Sequence, residues 1–281
     1  MQSIDSPIPH FLIRHEAMMT EFSLRILTDD IKLAQSLETE CIERIDELER
    51  KLSRYHEGGE IYQINRLQAG QTLRLSEECY DCLLLAMEAS VDTAGLFDIT
   101  LGRQIEHLKS ELSGDSPAIT GQLALSPDQH AIDCLSAGRV LDLGGIGKGF
   151  TLDQIRLILQ SWEIKGGLLS AGASTHLAFG CASWPINLTG EHHSRTLQLE
   201  NASLSASGDE VQGGHILHPQ LAEVPAQHKR IWSQCELASH ADAWSTALFL
   251  TPEEMIGDSV KSSQFLQKVY VENQVEITAV S

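Results

Sequence analysis

The chain has 281 residues and a hydrophobic fraction of 42%, enough for one large domain or two closely joined lobes around a sizeable core. Its formal net charge of −19 would repel nucleic acid and anionic lipid, so general nucleic-acid binding is disfavoured. A phosphate-bearing ligand would meet the same repulsion, and a bound divalent cation is one way to offset it.

The N-terminal sequence and the cysteine spacing favour a reduced compartment. No apolar run is long enough to span a bilayer, and residues 1–10 lack the basic and apolar regions of a secretory signal. The six cysteines are scattered, and the Cys79 and Cys82 pair has no second pair to complete a zinc site, so plain thiols are favoured there. We expect a cytoplasmic protein without integral membrane association.

The first half of the chain predicts a strand and then three helices. Residues 22–28 alternate as a strand does, and Asp29 and Asp30 can open the helix that follows. The apolar residues of this first helix recur every three or four positions and are predicted to face a core: Leu33, Leu37, Cys41, Ile45, Leu48 and Leu52.

Two further helices have clear start or stop signals. One begins at the N-cap residue Ser76 and stops at Gly95, and its predicted inward side chains are Leu83, Leu84, Met87 and Val91. The other follows the glycine cluster at 144–149, and its predicted apolar side is formed by Ile155, Ile158, Leu159 and Trp162.

The second half predicts an antiparallel sheet with one late helix. Short apolar segments alternate with turn residues at 168–169, 177–179, 184–188, 196–199 and 231–235. A helix at about 241–250 precedes two closing strands, at 265–271 and 275–280, and residues 110–130 resemble a surface insertion. Because helices and strands segregate without regular alternation, the predicted fold class is α+β.

The densest feature is the glycine cluster after Asp142, which includes Gly145 and Lys148. Glycines let a backbone approach a ligand closely, and the following helix presents free N–H groups to an anion. The spacing does not fit a Walker A loop. Two interpretations stay open: a phosphate-contacting loop, or a tight strand-to-helix turn.

Two further features have both a chemical and a structural interpretation. Asp242 and Thr246 are four residues apart, so one helix face would carry a carboxylate and a hydroxyl suited to Mg²⁺. The alternative is an N-capping aspartate with a threonine bonded back to its own helix. Likewise, His215 and His218 lie among glycines and a proline in a shaped loop, but such histidines are more often structural.

Short motifs follow one another along the chain: Met18-Met19-Thr20, Ser53-Arg54-Tyr55, Gly59–Asn65, Gly95–Gly102, Asp142–Gly149, Ser207–Asp209, His215–Pro219 and Ala241–Leu248. Taken in this order, they resemble the motifs of the FAD:protein FMN transferases of the ApbE-like family. The family's Met-Gly-Thr motif corresponds to Met18-Met19-Thr20 here.

The resemblance implies a two-lobed, T-fold-related architecture over residues 1–281, in which antiparallel sheets pack with helices and bent FAD lies in the cleft between the lobes. Its implied FAD contacts are Met18, Tyr55, Leu96, Phe97, Asp98, Asp142 and Lys148. It also implies that Mg²⁺ is held by Asp242, Thr246 and a loop carbonyl, that of Gly145. His215 is the candidate general base.

The implied activity is transfer of FMN from FAD to a threonine or serine hydroxyl of an acceptor protein, with release of AMP. An FAD pyrophosphatase and a flavin carrier without transfer activity are the alternatives. This chain departs from the family pattern at Ala173-Ser174, at 218–222 and at Ser245. The first two departures would lie near the acceptor side, so they bear on transfer more than on FAD binding.

Overall fold

The computed structural model describes residues 10–110, 116–208 and 228–281. In these ranges the strands are β1 (Phe11–Ala17), β2 (Thr20–Ile26), β3 (Thr72–Arg74), β4 (Gln122–Ser126), β5 (Ala131–Ser136), β6 (Gly166–Ala171), β7 (Thr175–Gly180), β8 (Trp184–Thr189), β9 (Ser194–Leu199), β10 (Ala202–Gly208), β11 (Arg230–Cys235), β12 (Leu266–Glu272) and β13 (Ile277–Val280). The α-helices are α1 (Ile31–Leu52), α2 (Glu60–Ile64), α3 (Glu77–Asp92), α4 (Gly102–Lys109), α5 (Gly147–Ser161), α6 (Ala238–Phe249) and α7 (Ile256–Ser262). Within the described ranges, no helix combines the length and apolarity required to cross a membrane.

One large antiparallel sheet organises the molecule. Its eight strands run in the order β1-β2-β6-β7-β10-β11-β12-β13, and each named pair is antiparallel. Smaller sheets are formed by β3-β5-β4 and by the β8-β9 ribbon. The predicted α+β class with antiparallel sheets is confirmed.

The two faces of the large sheet bury different partners. Alternation along β6 sends Leu169 into a core shared with α1 and α5, and Leu168 into a core shared with the β8-β9 ribbon. A third cluster joins α3 and α6 to β11 and β12. Helix α6 is almost entirely buried because its many alanines and serines let it lie close to β10 and β11.

The first predicted helix is confirmed: Asp30 caps α1 by accepting the N–H groups of Lys32 and Leu33. Five of its predicted core residues are buried, whereas Leu33 is half-buried. In α5, Ile155 and Leu159 are buried as predicted and Ile158 is half-buried. The prediction for Trp162 is wrong, because Trp162 follows the helix end and is 44% exposed, and its Nε1 donates to Glu40 at 2.8 Å.

The start of α3 at Ser76 is confirmed, but most of its predicted inward face is wrong. Only Leu83 is buried among the predicted residues, whereas Leu84, Met87 and Val91 are exposed. The buried face instead carries the smaller residues Cys79, Cys82, Ala86 and Ala89, together with Tyr80. Both stripes satisfy helical spacing, and close packing of α3 against α1 and α6 favours the stripe of small residues.

Two other segments differ from the sequence expectations. Part of the turn-rich segment at 110–130 forms strand β4, which pairs with β5. Strand β10 was not predicted because its sequence is rich in serine, yet all seven of its residues are buried.

Candidate functional site

Two adjoining cavities, of about 400 Å³ and 500 Å³, together form one cleft. The residues that line both are Met18, Met19, Lys109, Asp142, Gly144 and Lys148. The first cavity is also lined by Leu96, Phe97, Asp98, Gly145 and Thr246, and the second by Tyr55. The structure therefore brings every implied FAD-contact residue to one cleft, whose size suits a ligand larger than a single ring system.

The glycine loop precedes α5 and forms the floor shared by the two cavities. Asp142 organises it, because its Oδ1 accepts the N–H of Gly144 at 2.8 Å and its own N–H donates to Ile99 O at 2.8 Å. A Cβ added at Gly145 would lie 3.0 Å from Phe97 Cε2 and 3.2 Å from Thr246 Oγ1. The loop is thus a tight turn whose backbone also reaches the cleft, and a larger residue at position 145 would require Phe97 or Thr246 to move.

Asp242 lies in the second turn of α6 and is only 3% exposed. Its Oδ1 accepts the hydroxyl hydrogens of Thr175, at 3.3 Å, and Ser205, at 3.1 Å. Its Oδ2 is 3.3 Å from the N–H of Gly149 and 3.7 Å from Lys148 Nζ. One carboxylate oxygen is therefore fixed in the interior, and the other faces a lysine that lines the cleft.

Asp242 is not the N-cap of its helix, because Leu237 occupies that position. Thr246 does make the bond that the structural interpretation anticipated: its Oγ1 donates to the carbonyl of Asp242 at 3.2 Å. The same Oγ1 lies beside Gly145, and both residues line the first cavity, whereas the Asp242 carboxylate adjoins the cleft through Lys148, which lines both cavities. In the described ranges, no group of three or more His, Cys, Asp or Glu side chains could hold a metal.

A buried group of hydroxyls supports Asp242, and sequence reasoning missed it. We call it the hydroxyl cluster: Thr175, Ser205, Ser207 and Ser245. Thr175 and Ser205 are 3.1 Å apart, Ser245 lies 3.4 Å from Ser205, and Ser207 lies 3.0 Å from Ser245. The alternate serines of β10 were the available signal, since a strand that buries hydroxyls must supply them with partners.

Arg54 belongs to one of the motifs but is not among the implied site residues. Its Nε lies 3.1 Å from Asp142 Oδ2, and its Nη2 donates to Tyr55 Oη at 2.8 Å. Its Nη1 also donates to the carbonyl of Gly102 at 2.7 Å, at the start of α4, and Glu106 of the same helix pairs with Nη2. One guanidinium therefore fixes Asp142, Tyr55 and α4 relative to each other.

The walls of the first cavity are held by local bonds. Gly95 reverses the chain after α3 with φ +82°, a conformation that suits glycine. The N–H of Phe97 then donates to Thr93 Oγ1 at 3.1 Å, which buries the ring beside the glycine loop, and Asp98 Oδ1 accepts the N–H of Thr100 at 2.7 Å. Leu96, between them, is half-buried.

Positive charge in the cleft comes from Lys148 and Lys109, which line both cavities. Lys148 Nζ donates to the carbonyl of Gly144 at 3.3 Å and lies near Asp242. These two ammonium groups offset part of the repulsion that a chain of net charge −19 would exert on a phosphate ligand.

Asp153 lies outside the cleft and fixes the start of α6. Its two oxygens accept the N–H groups of Ala238 and Ser239, each at 2.9 Å. Burial raises the pKa of Asp153, although these N–H bonds act in the opposite direction. The Cys79 and Cys82 thiols are buried in α3 with raised pKa values, so they are structural.

The family model of the ApbE family matches residues 18–269. The chain belongs to the ApbE family. Its relatives include two proteins named FAD:protein FMN transferase. The relative from Buchnera aphidicola is 22% identical, and the matched region covers 74% of this chain and 70% of that relative. The relative from Chlamydia muridarum is 28% identical, and the matched region covers 72% of this chain and 72% of that relative.

Solved ApbE structures share the fold. The flavin transferase ApbE from Vibrio cholerae superposes with a TM-score of 0.82 at 19% identity and covers 97% of both chains. The flavinyl transferase ApbE from Pseudomonas stutzeri gives a TM-score of 0.81 at 18% identity, covering 96% of this chain and 94% of the other. The predicted ApbE-like architecture is confirmed. His215, the candidate base, lies outside the described residues.

Proposed function

We propose that this ApbE-family chain is an Mg²⁺-dependent FAD:protein FMN transferase. The observation that carries the proposal is that the implied FAD contacts line one cleft, that Gly145 and Thr246 line its first cavity, and that the Asp242 carboxylate lies 3.7 Å from Lys148 Nζ, which lines both cavities. The names of the relatives give the same activity for those proteins. The acceptor would be a serine or threonine hydroxyl of another protein.

Asp242, Thr246 and Gly145 have oxygen atoms of the kind that bind a magnesium ion. Asp242 Oδ2 has one long N–H contact at 3.3 Å and the Lys148 ammonium at 3.7 Å, so it keeps lone pairs for a cation. Thr246 donates its hydroxyl hydrogen to a carbonyl, which leaves its oxygen free to act as a ligand. With the Gly145 carbonyl, this set supplies three oxygens, and Mg²⁺ commonly completes its shell with water and phosphate oxygens.

The chain's own groups would prepare FAD for transfer. When bound, Mg²⁺ would neutralise charge that develops on the pyrophosphate. Lys148 adds a fixed positive charge, and the exposed ring of Tyr55 offers aromatic surface to a ring system in the second cavity, while the buried Phe97 ring borders the first. In the reaction, the acceptor oxygen bonds to the FMN phosphorus, the bond to the AMP oxygen breaks, and the acceptor proton passes to a base, for which His215 is the candidate.

The test is release of AMP from FAD by the purified chain, with Mg²⁺ or with a chelator, and with or without a protein acceptor. Asp242→Ala should abolish Mg²⁺-dependent release, because it removes the charged ligand, while FAD still binds and the melting temperature stays within a few degrees of wild type. Cleavage at the wild-type rate by this variant would show that the metal assignment is wrong.

The same assay separates the alternatives. The first cavity is lined by Ala173 and Ser174, where the family pattern has glycine followed by aspartate or asparagine, and the resemblance implies that this departure lies near the acceptor side. Equal AMP release with and without acceptor would indicate a pyrophosphatase. FAD binding without AMP release under any condition would indicate a carrier. His215→Asn should lower transfer by about a hundredfold or more if His215 is the base.

A further inference from the structure

The hairpin turn between β1 and β2 is strained. Ala17 pairs with Thr20, so the turn consists of Met18 and Met19 alone, with φ angles of 51° and 59°. Two-residue turns of this hand match the twist of a hairpin but usually carry asparagine and glycine, because other side chains crowd the backbone there. Two consecutive methionines in this conformation are costly, so the structure must gain something from them elsewhere.

Packing explains the first methionine. The N–H of Met18 donates to Glu49 Oε1 at 2.6 Å, its sulfur lies 3.7 Å from Thr151 Oγ1, and its side chain packs against two core clusters. These contacts tie the turn to α1 and α5 and fix its orientation.

Packing does not explain the second methionine. Met19 has a relative exposure of 103%, so its side chain buries no surface against the rest of the fold. A glycine at this position would adopt the same backbone conformation without strain. Stability alone therefore disfavours Met19, and the packing of the folded chain gives no reason for its side chain.

Met19 is placed to contact whatever occupies the cleft. It lines both cavities and so stands where they join, with Phe97 on the first side and Tyr55 on the second. A methionine side chain is flexible and polarizable, and its sulfur makes favourable contacts with aromatic rings. The hydrogen bond from Met18 N–H to Glu49 anchors the turn, so Met19 is held at the position where it lines both cavities.

We infer that Met19 is a ligand-contact residue whose thioether packs on an aromatic ring of the nucleotide bound in the cleft. This inference rests on the proposed function, in which that nucleotide is FAD, and it adds a contact that the implied FAD-binding set does not include. The strained backbone of the turn is then tolerated, because the Met19 side chain contributes to ligand binding rather than to the stability of the fold.

The test compares stability and FAD affinity in matched glycine variants. Met19→Gly should raise the melting temperature by about 1 to 3 °C, because strain is relieved. The same variant should bind FAD about tenfold more weakly, because the sulfur and methyl contacts are lost. Met19→Leu should stay within about threefold of wild-type affinity, because it keeps an apolar side chain of similar size.

Glu163→Gly is the control, because Glu163 has a φ of 57°, is exposed, and follows α5 away from the residues that line the cleft. It should gain similar stability with unchanged FAD affinity. Met19→Gly binding FAD as tightly as wild type, or losing stability along with affinity, would overturn the inference. If wild type binds FAD and Met19→Gly binds it equally, only this inference fails; if wild type does not bind FAD, the proposed function fails with it.

Discussion

Replacing Gly145 by alanine tests the close approach of the glycine loop to the cleft. The added Cβ would lie 3.0 Å from Phe97 Cε2 and 3.2 Å from Thr246 Oγ1. Both distances are shorter than an ordinary contact of about 3.5 to 4.0 Å between non-bonded atoms, so something must move by about 0.5 Å. The loop, the Phe97 ring and the Thr246 hydroxyl are the groups able to move, and all three border the first cavity.

The structure sets the size of the expected effect. Overpacking by one methyl group should cost about 1 kcal/mol of stability, since two neighbours share the displacement. A displacement of about 1 Å at a catalytic centre can lower a rate about a hundredfold, so half that distance should lower turnover about tenfold. Glycine at 145 has no positive φ, so backbone strain does not contribute to the effect.

The assay is the rate of AMP release at saturating FAD and Mg²⁺, combined with FAD affinity and the melting temperature. Gly257→Ala is the control, because a Cβ there meets nothing within 4 Å in the short helix α7. It should leave turnover unchanged and add up to about 1 kcal/mol of stability. If Gly145→Ala turns over FAD at the wild-type rate, the loop does not define the reactive end of the cleft.

Two further predictions concern polar groups of β7 and β10. Ser205→Ala combined with Thr175→Val removes both hydroxyl donors to Asp242 Oδ1. The Mg²⁺ concentration needed for half-maximal FAD cleavage should therefore rise about tenfold or more. An unchanged Mg²⁺ requirement would show that these hydroxyls do not position the carboxylate. Burial lowers the pKa of His176 from 6.5 to about 4. Between these pH values the unfolded chain takes up a proton that the folded chain does not. The free energy of unfolding should therefore fall by about 2 to 3 kcal/mol as the pH is lowered from about 6.5 to 4. His176→Gln should show a shallower decline in denaturant titrations at several pH values, and identical slopes for the two proteins would refute this assignment.

Elements with one dominant pattern could be predicted from sequence. Helix α1 has a single apolar stripe and a strong cap at Asp30, and both are found in the structure. Helix α3 has two stripes of equal spacing, and sequence alone favoured the larger side chains, including Val91, which is 80% exposed. Which stripe is buried depends on the space left by α1 and α6, which is a property of the tertiary structure.

Site residues that lie in short sequence motifs could be named from the sequence. Residues that support the site from separate strands could not. The cleft residues lie in short motifs, so Asp142, Lys148 and Thr246 were all named from the sequence. The partners of Asp242 are Thr175 and Ser205, which are distant in sequence and lie on neighbouring strands. Only the pairing of β7 with β10 brings their hydroxyls together beneath the carboxylate.

Covalent flavin on acceptor proteins is the most direct measure of the central claim. Proteins of the host cell can be separated under denaturing conditions and examined for flavin fluorescence that survives unfolding, with the chain intact, deleted or carrying Asp242→Ala. We predict at least one flavin-labelled protein that disappears on deletion, stays absent with Asp242→Ala and returns with the wild-type chain, and whose label is FMN on a serine or threonine. An unchanged set of flavin-labelled proteins in all three strains would contradict the proposal that this chain transfers FMN.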